Sequence, residues 1–136
     1  MFSSIDISTS GLVAQRTRLD AISSNLANMS TMLNEDGEVD PYKPRFVVFQ
    51  TDEDLQTEHG AVGVRVSAVE TEDLDPLYKY QPGHPLADDR GMVAYPRVNM
   101  IEQFVDAMAA TRAYEANIGV MEITKDLGQQ TLRIIA

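Results

Sequence analysis

The stretch ISSNLANMST, residues 22–31, decides the fold, because a regular apolar pattern runs into amides and hydroxyls there. Within it, Asn25 and Asn28 lie three positions apart, on adjacent turns of a helix. Upstream, the apolar spacing is typical of a coiled-coil-like helix, and Ser3 followed by Asp6 resembles a capping box. The sequence therefore predicts a helix that begins near Ser3 and ends at these amides. The heptad spacing is carried by Ile5, Leu12, Leu19 and Leu26, with Ser8, Gln15, Ile22 and Met29 at the complementary positions.

The start of this helix has a weak composition. The segment STSG, residues 8–11, contains poor helix formers, and glycine alone costs about 1 kcal/mol relative to alanine in a helix. We therefore expect that the first turns are not stable by themselves.

The last third of the chain predicts a longer helix. Apolar residues alternate at three- and four-residue spacing from Met100 to Ile135, and Val105 and Met108 belong to a second apolar strip beside them. One helical partner covers one strip, so a surface this wide predicts several neighbours. The sequence ends in TLRIIA, residues 131–136, and we expect this apolar end to be buried against another molecule.

Small and charged residues alternate in AATRAYEAN, residues 109–117. Arg112 and Glu115 lie three positions apart and are able to pair on one helix face. One interpretation is a solvated face. The other is a smooth alanine surface on which a second helix packs, with the two charged residues fixing its register.

Between the helical ends the pattern changes to that of β strands. RFVVF (45–49) and AVGVRVSAV (61–69) are rich in β-branched and aromatic residues, and LYKY (77–80) and MVAY (92–95) are shorter candidates. All 6 prolines lie in this middle section. Because proline interrupts helices, they place the helix boundaries at about 30–40 and 96–99.

The acidic stretches NEDGEVD (34–40) and TDEDLQTEHG (51–60) are predicted to be solvated loops. We therefore predict an α+β chain in which long N- and C-terminal helices pack as a coiled-coil-like pair, with a small β-rich module inserted between them. The predicted ranges are 1–32 for the first helix, 33–97 for the acidic loop and β module, and 98–136 for the second helix.

Composition excludes several classes of partner. The chain has 11 Lys and Arg against 21 Asp and Glu, a net charge of −10 that repels nucleic acid and anionic lipid. The absence of cysteine excludes disulfides and thiol catalysis. We expect no direct membrane insertion, and MFSSIDISTSG has neither the basic leader nor the apolar core of a cleaved secretory signal.

Candidate chemistry is confined to the loop PGHPLADDRG, residues 82–91. His84 with Asp88 or Asp89 would suit a hydrolase or a cation site. The carboxylate spacing does not match a calcium loop, however, and no second histidine stands at zinc-site spacing. A rigid turn with solvated carboxylates is the simpler interpretation, so we predict no enzyme, no catalytic residues, no metal and no cofactor.

Three stretches together resemble the flagellar basal-body rod proteins, and among them the proximal-rod member. They are AQRTRLDAISSNLANMST (14–31), YQPGHPLADDRGMVAYPRVNMIEQFVDAM (80–108) and ATRAYEANIGVM (110–121). The SNLAN motif is shared by rod and hook proteins, whereas PGHP-x-AD-x-x-G followed by YP-x-VN is typical of the proximal rod. One departure stands out: many relatives continue through a short Thr-x-Gly-Tyr turn, but here Tyr42 follows an acidic stretch.

The resemblance implies a structural subunit of the rod, the tubular drive shaft that transmits torque and serves as an export channel. It implies that the terminal helices form the inner tube and that the β module faces outward. It implies partners among other rod proteins and copies of the same chain, with the basal-body ring and export-gate junction proteins as further candidates. It also implies export by the flagellar type III apparatus, without a cleaved signal peptide, to the periplasmic rod.

The predicted subunit interface lies on both helices. Asn25 and Asn28 are expected to act as C-terminal caps and as hydrogen-bond partners whose amides are satisfied only on assembly. The alternative is that they simply end the helix. The predicted interface residues are Leu12, Leu19, Ile22, Asn25, Leu26, Asn28, Phe104, Met108, Arg112, Tyr114, Glu115, Asn117, Ile118, Met121, Leu132 and Ile135.

A second function class fits the same composition. An acidic helical adaptor or secretion chaperone would bind a single partner through methionine-rich faces, as Met100, Met108 and Met121 allow. Such a protein is expected to be stably folded alone, whereas a rod subunit is expected to have loose ends and to polymerise.

Overall fold

Two long helices flank a short β section. The computed structural model describes residues 2–136, with the side chains of residues 3–136. Its two sheets are both two-stranded and antiparallel, pairing β1 with β2 and β3 with β4. The predicted α+β class is thus confirmed. In chain order the elements are α1 (Phe2–Ala27), β1 (Arg45–Gln56), β2 (Val62–Thr71), β3 (Leu77–Tyr80), β4 (Met92–Tyr95) and α2 (Met100–Ile135).

The helices α1 and α2 pack against each other in antiparallel directions. Near the end of α1, Asn25 Nδ2 donates to Gln103 Oε1 at 3.0 Å, close to the start of α2. Further back along α1, Arg18 forms a 3.3 Å ion pair with Asp106. Residues earlier in α1 therefore meet residues later in α2.

The helix α1 continues through the weak segment 8–11 because its small residues face α2 and β2. Gly11 is buried, and a Cβ atom placed on it would lie 3.0 Å from the amide of Asn117. The Ser10 hydroxyl donates to Ile7 O at 2.6 Å and accepts the backbone N–H of Val64 at 3.1 Å. Tertiary contacts thus outweigh the low helix propensity of these residues.

The long hairpin of β1 and β2 extends further than its sequence predicts. The loop prediction is wrong for residues 51–56, which belong to β1; Thr51 lies opposite Val64, and the register shifts between Asp52 and Gln56. Thr51, Asp52 and Gln56 pair with β2, residues 53–55 lie within the register shift, and the acidic side chains remain mostly exposed. Residues 35–40 do form the exposed turn predicted for the first acidic stretch.

The short hairpin of β3 and β4 occupies the predicted ranges 77–80 and 92–95. Val93 is buried in it, and Gly91 has a φ of 74°, a left-handed conformation that favours glycine. A Cβ atom at Gly91 would also lie 3.0 Å from the Tyr80 ring. The hairpin leads into α2, which begins at Met100 because the Asn99 side chain accepts the backbone N–H groups of the first turn.

The buried core is thin and centred on α1, which contacts α2 and both strands of the long hairpin. Most buried residues of α1 are small or polar, so the helix approaches its neighbours closely without a large apolar core. In the described part of the chain the residues classed as buried core are Ala14, Ala21, Ile22, Val93 and Ala110, with Ser8 and Asn25 as buried polar residues.

Candidate subunit interface

The helix α2 exposes most of its apolar surface. Four of the predicted interface residues on it are largely open to solvent, with exposed fractions of 54% for Phe104, 58% for Met108, 68% for Leu132 and 77% for Ile135. Exposed apolar surface of this extent on a small chain indicates contact with other molecules. The wide apolar face read from the sequence is therefore present and is not covered by α1.

An open apolar groove runs between α1 and α2. It has a volume of about 470 Å³ and is lined by Ile5 and Leu12 from α1 and by Tyr114, Ile118 and Met121 from α2. Glu122 and Lys125 complete its lining. Four predicted interface residues, Leu12, Tyr114, Ile118 and Met121, thus meet in one feature, named here the α1–α2 groove.

The amide of Asn25 is satisfied inside the chain. Its Nδ2 donates to Arg45 O at 2.8 Å and to Gln103 Oε1 at 3.0 Å. Its Oδ1 accepts the Arg45 backbone N–H at 2.8 Å and the Tyr42 hydroxyl at 3.0 Å. The expectation that this amide finds partners only on assembly is therefore wrong. Asn25 is buried where α1, β1, α2 and the segment before β1 come together.

Asn28 ends the helix. Its Nδ2 donates to Ser24 O at 3.0 Å, and its backbone N–H donates to the same carbonyl at 3.1 Å. Its Oδ1 accepts the hydroxyl of Thr31 at 3.1 Å. The capping role is confirmed for Asn28, while its contact with a neighbouring subunit stays a prediction.

The remaining predicted interface residues divide between the interior and the surface. Ile22 is buried, Leu19 and Leu26 are half-buried, and Asn117 lies against Gly11 with its Nδ2 donating to Ala113 O at 2.9 Å. Arg112 and Glu115 are both exposed, and no salt bridge joins them in the described residues. Their charges are therefore available to a neighbouring molecule.

Sequence reasoning missed the partners of Asn25. Tyr42 reaches it because the inserted acidic segment folds back on itself, with Leu33 bridging Val39, and Tyr42 N then donates to Thr31 O at 3.0 Å. The Tyr42 hydroxyl also lies 3.0 Å from Ser24 Oγ. One feature of the sequence pointed to this contact: Tyr42 follows an acidic stretch instead of the short Thr-x-Gly-Tyr turn, and it still reaches the amide motif.

A charged pair closes the base of the long hairpin. Lys43 Nζ forms a hydrogen bond and ion pair with the Asp73 carboxylate, which raises the pKa of Lys43 and lowers the pKa of Asp73. Both side chains are exposed, so solvent screens the attraction and the pair adds little to stability.

Polar side chains in the loop 82–91 stabilise its turn by accepting hydrogen bonds from nearby backbone N–H groups. His84 Nδ1 accepts the backbone N–H of Leu86 at 3.1 Å. Asp88 Oδ1 accepts the backbone N–H groups of Arg90 and Met92, each at 2.9 Å. These contacts agree with the rigid-turn interpretation. Within residues 2–136 there is no group of three or more His, Asp or Glu that suits a metal ion, and no helix long and apolar enough to cross a membrane.

Family models match both helical ends of the chain. The model described as "Flagella basal body rod protein" matches residues 5–32, and the one described as "Flagellar basal body rod FlgEFG protein C-terminal" matches residues 89–134. Together with the exposed apolar helices, these matches define the class: a structural subunit of the flagellar basal-body rod.

Curated relatives cover nearly the whole chain. Flagellar basal-body rod protein FlgC of Borreliella burgdorferi is 38% identical over 99% of this chain and 97% of its own length. The protein of that name from Salmonella typhimurium is 39% identical over 95% and 93%, and that from Bacillus subtilis is 36% identical over 98% and 97%. The chain belongs to the FlgC family of flagellar basal-body rod proteins. Membership confirms the predicted resemblance and favours a rod subunit over an adaptor.

Proposed function

We propose that the chain assembles through its terminal helices, residues 1–32 and 98–136, into the tubular shaft of the basal body. Its neighbours there are copies of itself and other rod proteins. The observation that carries this proposal is the exposed apolar face of α2, which includes Phe104, Met108, Leu132 and Ile135. The resulting tube transmits torque and leaves a central channel for export.

Burial of this face supplies the driving force for assembly. Fully burying a side chain of this size contributes about 1.5–3 kcal/mol, so several such residues on each copy offset the entropy lost on association. The Arg112 and Glu115 charges, exposed on the same helix, would then select the register of a neighbouring helix.

The β module, residues 33–97, faces outward in this arrangement. Its surroundings in the basal body include the ring proteins, and the export-gate junction proteins meet the rod at its base. The chain reaches the periplasmic rod through the flagellar export apparatus. Its role is structural, with no catalytic step and no cofactor, since His84 and Asp88 serve their own turn.

Replacement of one exposed apolar residue tests the assembly. Phe104→Asp puts a charge on the proposed contact surface without disturbing the buried core, because Phe104 is 54% exposed in the single chain. The variant should be produced and exported normally, and cells carrying it in place of the native chain should lose rods and swimming. Phe104→Leu, which keeps the surface apolar, is the matched control and should swim. Normal rods in the Asp variant would refute assembly through this face.

A further inference from the structure

The last turns of α2 extend past the α1–α2 groove. The antiparallel pairing runs from Asn25 beside Gln103 to Gly11 beside Asn117, and the lining of the groove reaches as far as Lys125. Every residue from 129 to 136 is exposed. This segment, named here the overhang, is apolar in character, since Leu132, Ile134 and Ile135 are 68%, 85% and 77% exposed.

The overhang and the groove match in length. The groove spans positions 5–12 of α1, which correspond to about 10 Å along a helix axis, and the eight residues of the overhang span about 12 Å. Leu132 and Ile135 lie three positions apart and so share one face of the helix. The overhang therefore presents a short apolar ridge, and the groove an open apolar trough of comparable size.

We propose that the overhang of one copy docks in the α1–α2 groove of a second copy, an inference that rests on the proposed assembly through the terminal helices. The overhang does not reach its own groove, because it continues the same helix that forms one wall of that groove. Both surfaces are present on every copy. Because they are different surfaces, the contact is head-to-tail and repeats from copy to copy, as in a ring or a helical filament.

Charge supports a second copy as the occupant. The only charged side chain in the overhang is Arg133, whereas the chain as a whole has a net charge of −10. The groove lining contains Glu122 and Lys125, whose opposite charges balance, so the attraction comes from the acidic body around the groove. A basic overhang is thus attracted to the acidic body of the next copy, although the like-charged bodies repel one another.

The contact is small, which suits a subunit that is monomeric before assembly. A groove of about 470 Å³ accommodates only a few side chains, so the contact buries much less area than the roughly 1,600 Å² of a stable two-body interface. Isolated copies therefore stay apart at low concentration. In a tube, each copy gives one overhang, receives another and touches further neighbours, so the weak contacts reinforce each other.

Disulfide trapping tests the contact, because the chain contains no cysteine of its own. Leu132→Cys in the overhang and Met121→Cys in the groove are made on separate, differently tagged chains that replace the native chain together. Oxidation of isolated basal bodies should link the two variants to each other, since a disulfide requires Cβ atoms about 3.5–4.5 Å apart. Val105→Cys, at a more exposed apolar position outside the groove, replaces Met121→Cys as the control and should link at least about tenfold less.

The outcomes separate this inference from the assembly on which it rests. The docking would be overturned by equal linking of the test and control pairs, by links only between identical variants, or by links to a different basal-body protein. If the variants form rods and Leu132 does not link to Met121, the docking is wrong but assembly through the helices stands. If Phe104→Asp also forms normal rods, assembly through the helices is wrong as well.

Ile135→Cys with Ile118→Cys forms an independent second pair. Both pairs are also oxidised as concentrated purified protein, where an absence of linking counts against the docking.

Discussion

Asn25 binds the first residue of β1 through both ends of its side-chain amide. Its Nδ2 donates to Arg45 O, and its Oδ1 accepts Arg45 N–H, each at 2.8 Å. The side chain thus pairs with the strand as a neighbouring backbone would. Nδ2 also donates to Gln103 and Oδ1 also accepts the Tyr42 hydroxyl, so one buried amide connects both helices to the β module.

Asn25→Ala should destabilise the chain strongly. The change leaves the Arg45 backbone groups and the Gln103 amide without a buried partner, and the expected loss is about 3 kcal/mol in the free energy of unfolding. Urea denaturation of the purified chain measures it. Asn28→Ala removes a more accessible cap and serves as the control, with an expected loss of about 1 kcal/mol. Equal losses in the two variants would contradict the central role of Asn25.

Asn25→Ala should also impair rod assembly while export continues. The loosened joint no longer fixes the β module relative to the helices, whereas the export proposed above does not use that joint. Secreted protein and swimming are the measurements, and normal swimming would show that the rod tolerates loss of this joint.

Two glycines should respond oppositely to alanine. Gly119 has open space where a Cβ atom would stand, so Gly119→Ala should stabilise the helix by about 0.5–1 kcal/mol. Gly11→Ala should destabilise the chain instead, because the new methyl group would crowd the Asn117 amide. Thermal unfolding measures both. Gly11→Ala combined with Asn117→Ala removes the crowding and should recover stability; a stabilising Gly11→Ala alone would show that the helices separate easily at this point.

Val93→Ala should loosen the short hairpin alone. Val93 is 1% exposed, and deletion of its two buried methyl groups costs about 2 kcal/mol. In the described residues, β3 and β4 contact each other but none of α1, α2, β1 and β2, so the effect should stay local. Hydrogen exchange should rise in residues 77–95 and remain unchanged in α1. Faster exchange throughout the chain would indicate a single cooperative unit.

Hydrogen exchange in the isolated chain should vary along α2. Residues 103–117 face α1 and should exchange slowly, whereas residues 129–136 are exposed on all sides and should exchange rapidly. The same experiment on assembled basal bodies should show the protection of residues 129–136 that docking implies. Equal protection along the whole of α2 in the isolated chain would contradict this gradient.

Much of the fold is readable from local patterns. The ranges 77–80 and 92–95 were predictable because β-branched and aromatic residues stand between turn-forming ones, and the start of α2 was predictable from Pro96. The extent of β1 was not predictable in this way. The acidic stretch 51–56 resembles a loop until β2 lies beside it and pairs with Thr51, Asp52 and Gln56.

By itself, the sequence determined the two helices, the β module between them, the apolar excess of α2 and the family, because each is written in composition, spacing or motif. Tertiary structure alone decided that Asn25 is satisfied within the chain, that Gly11 marks the close approach of the helices, and that the end of α2 stands clear of α1. The reason is physical: hydrogen-bond partners and close contacts depend on which distant segments meet in space, and residue spacing along one segment does not carry that information.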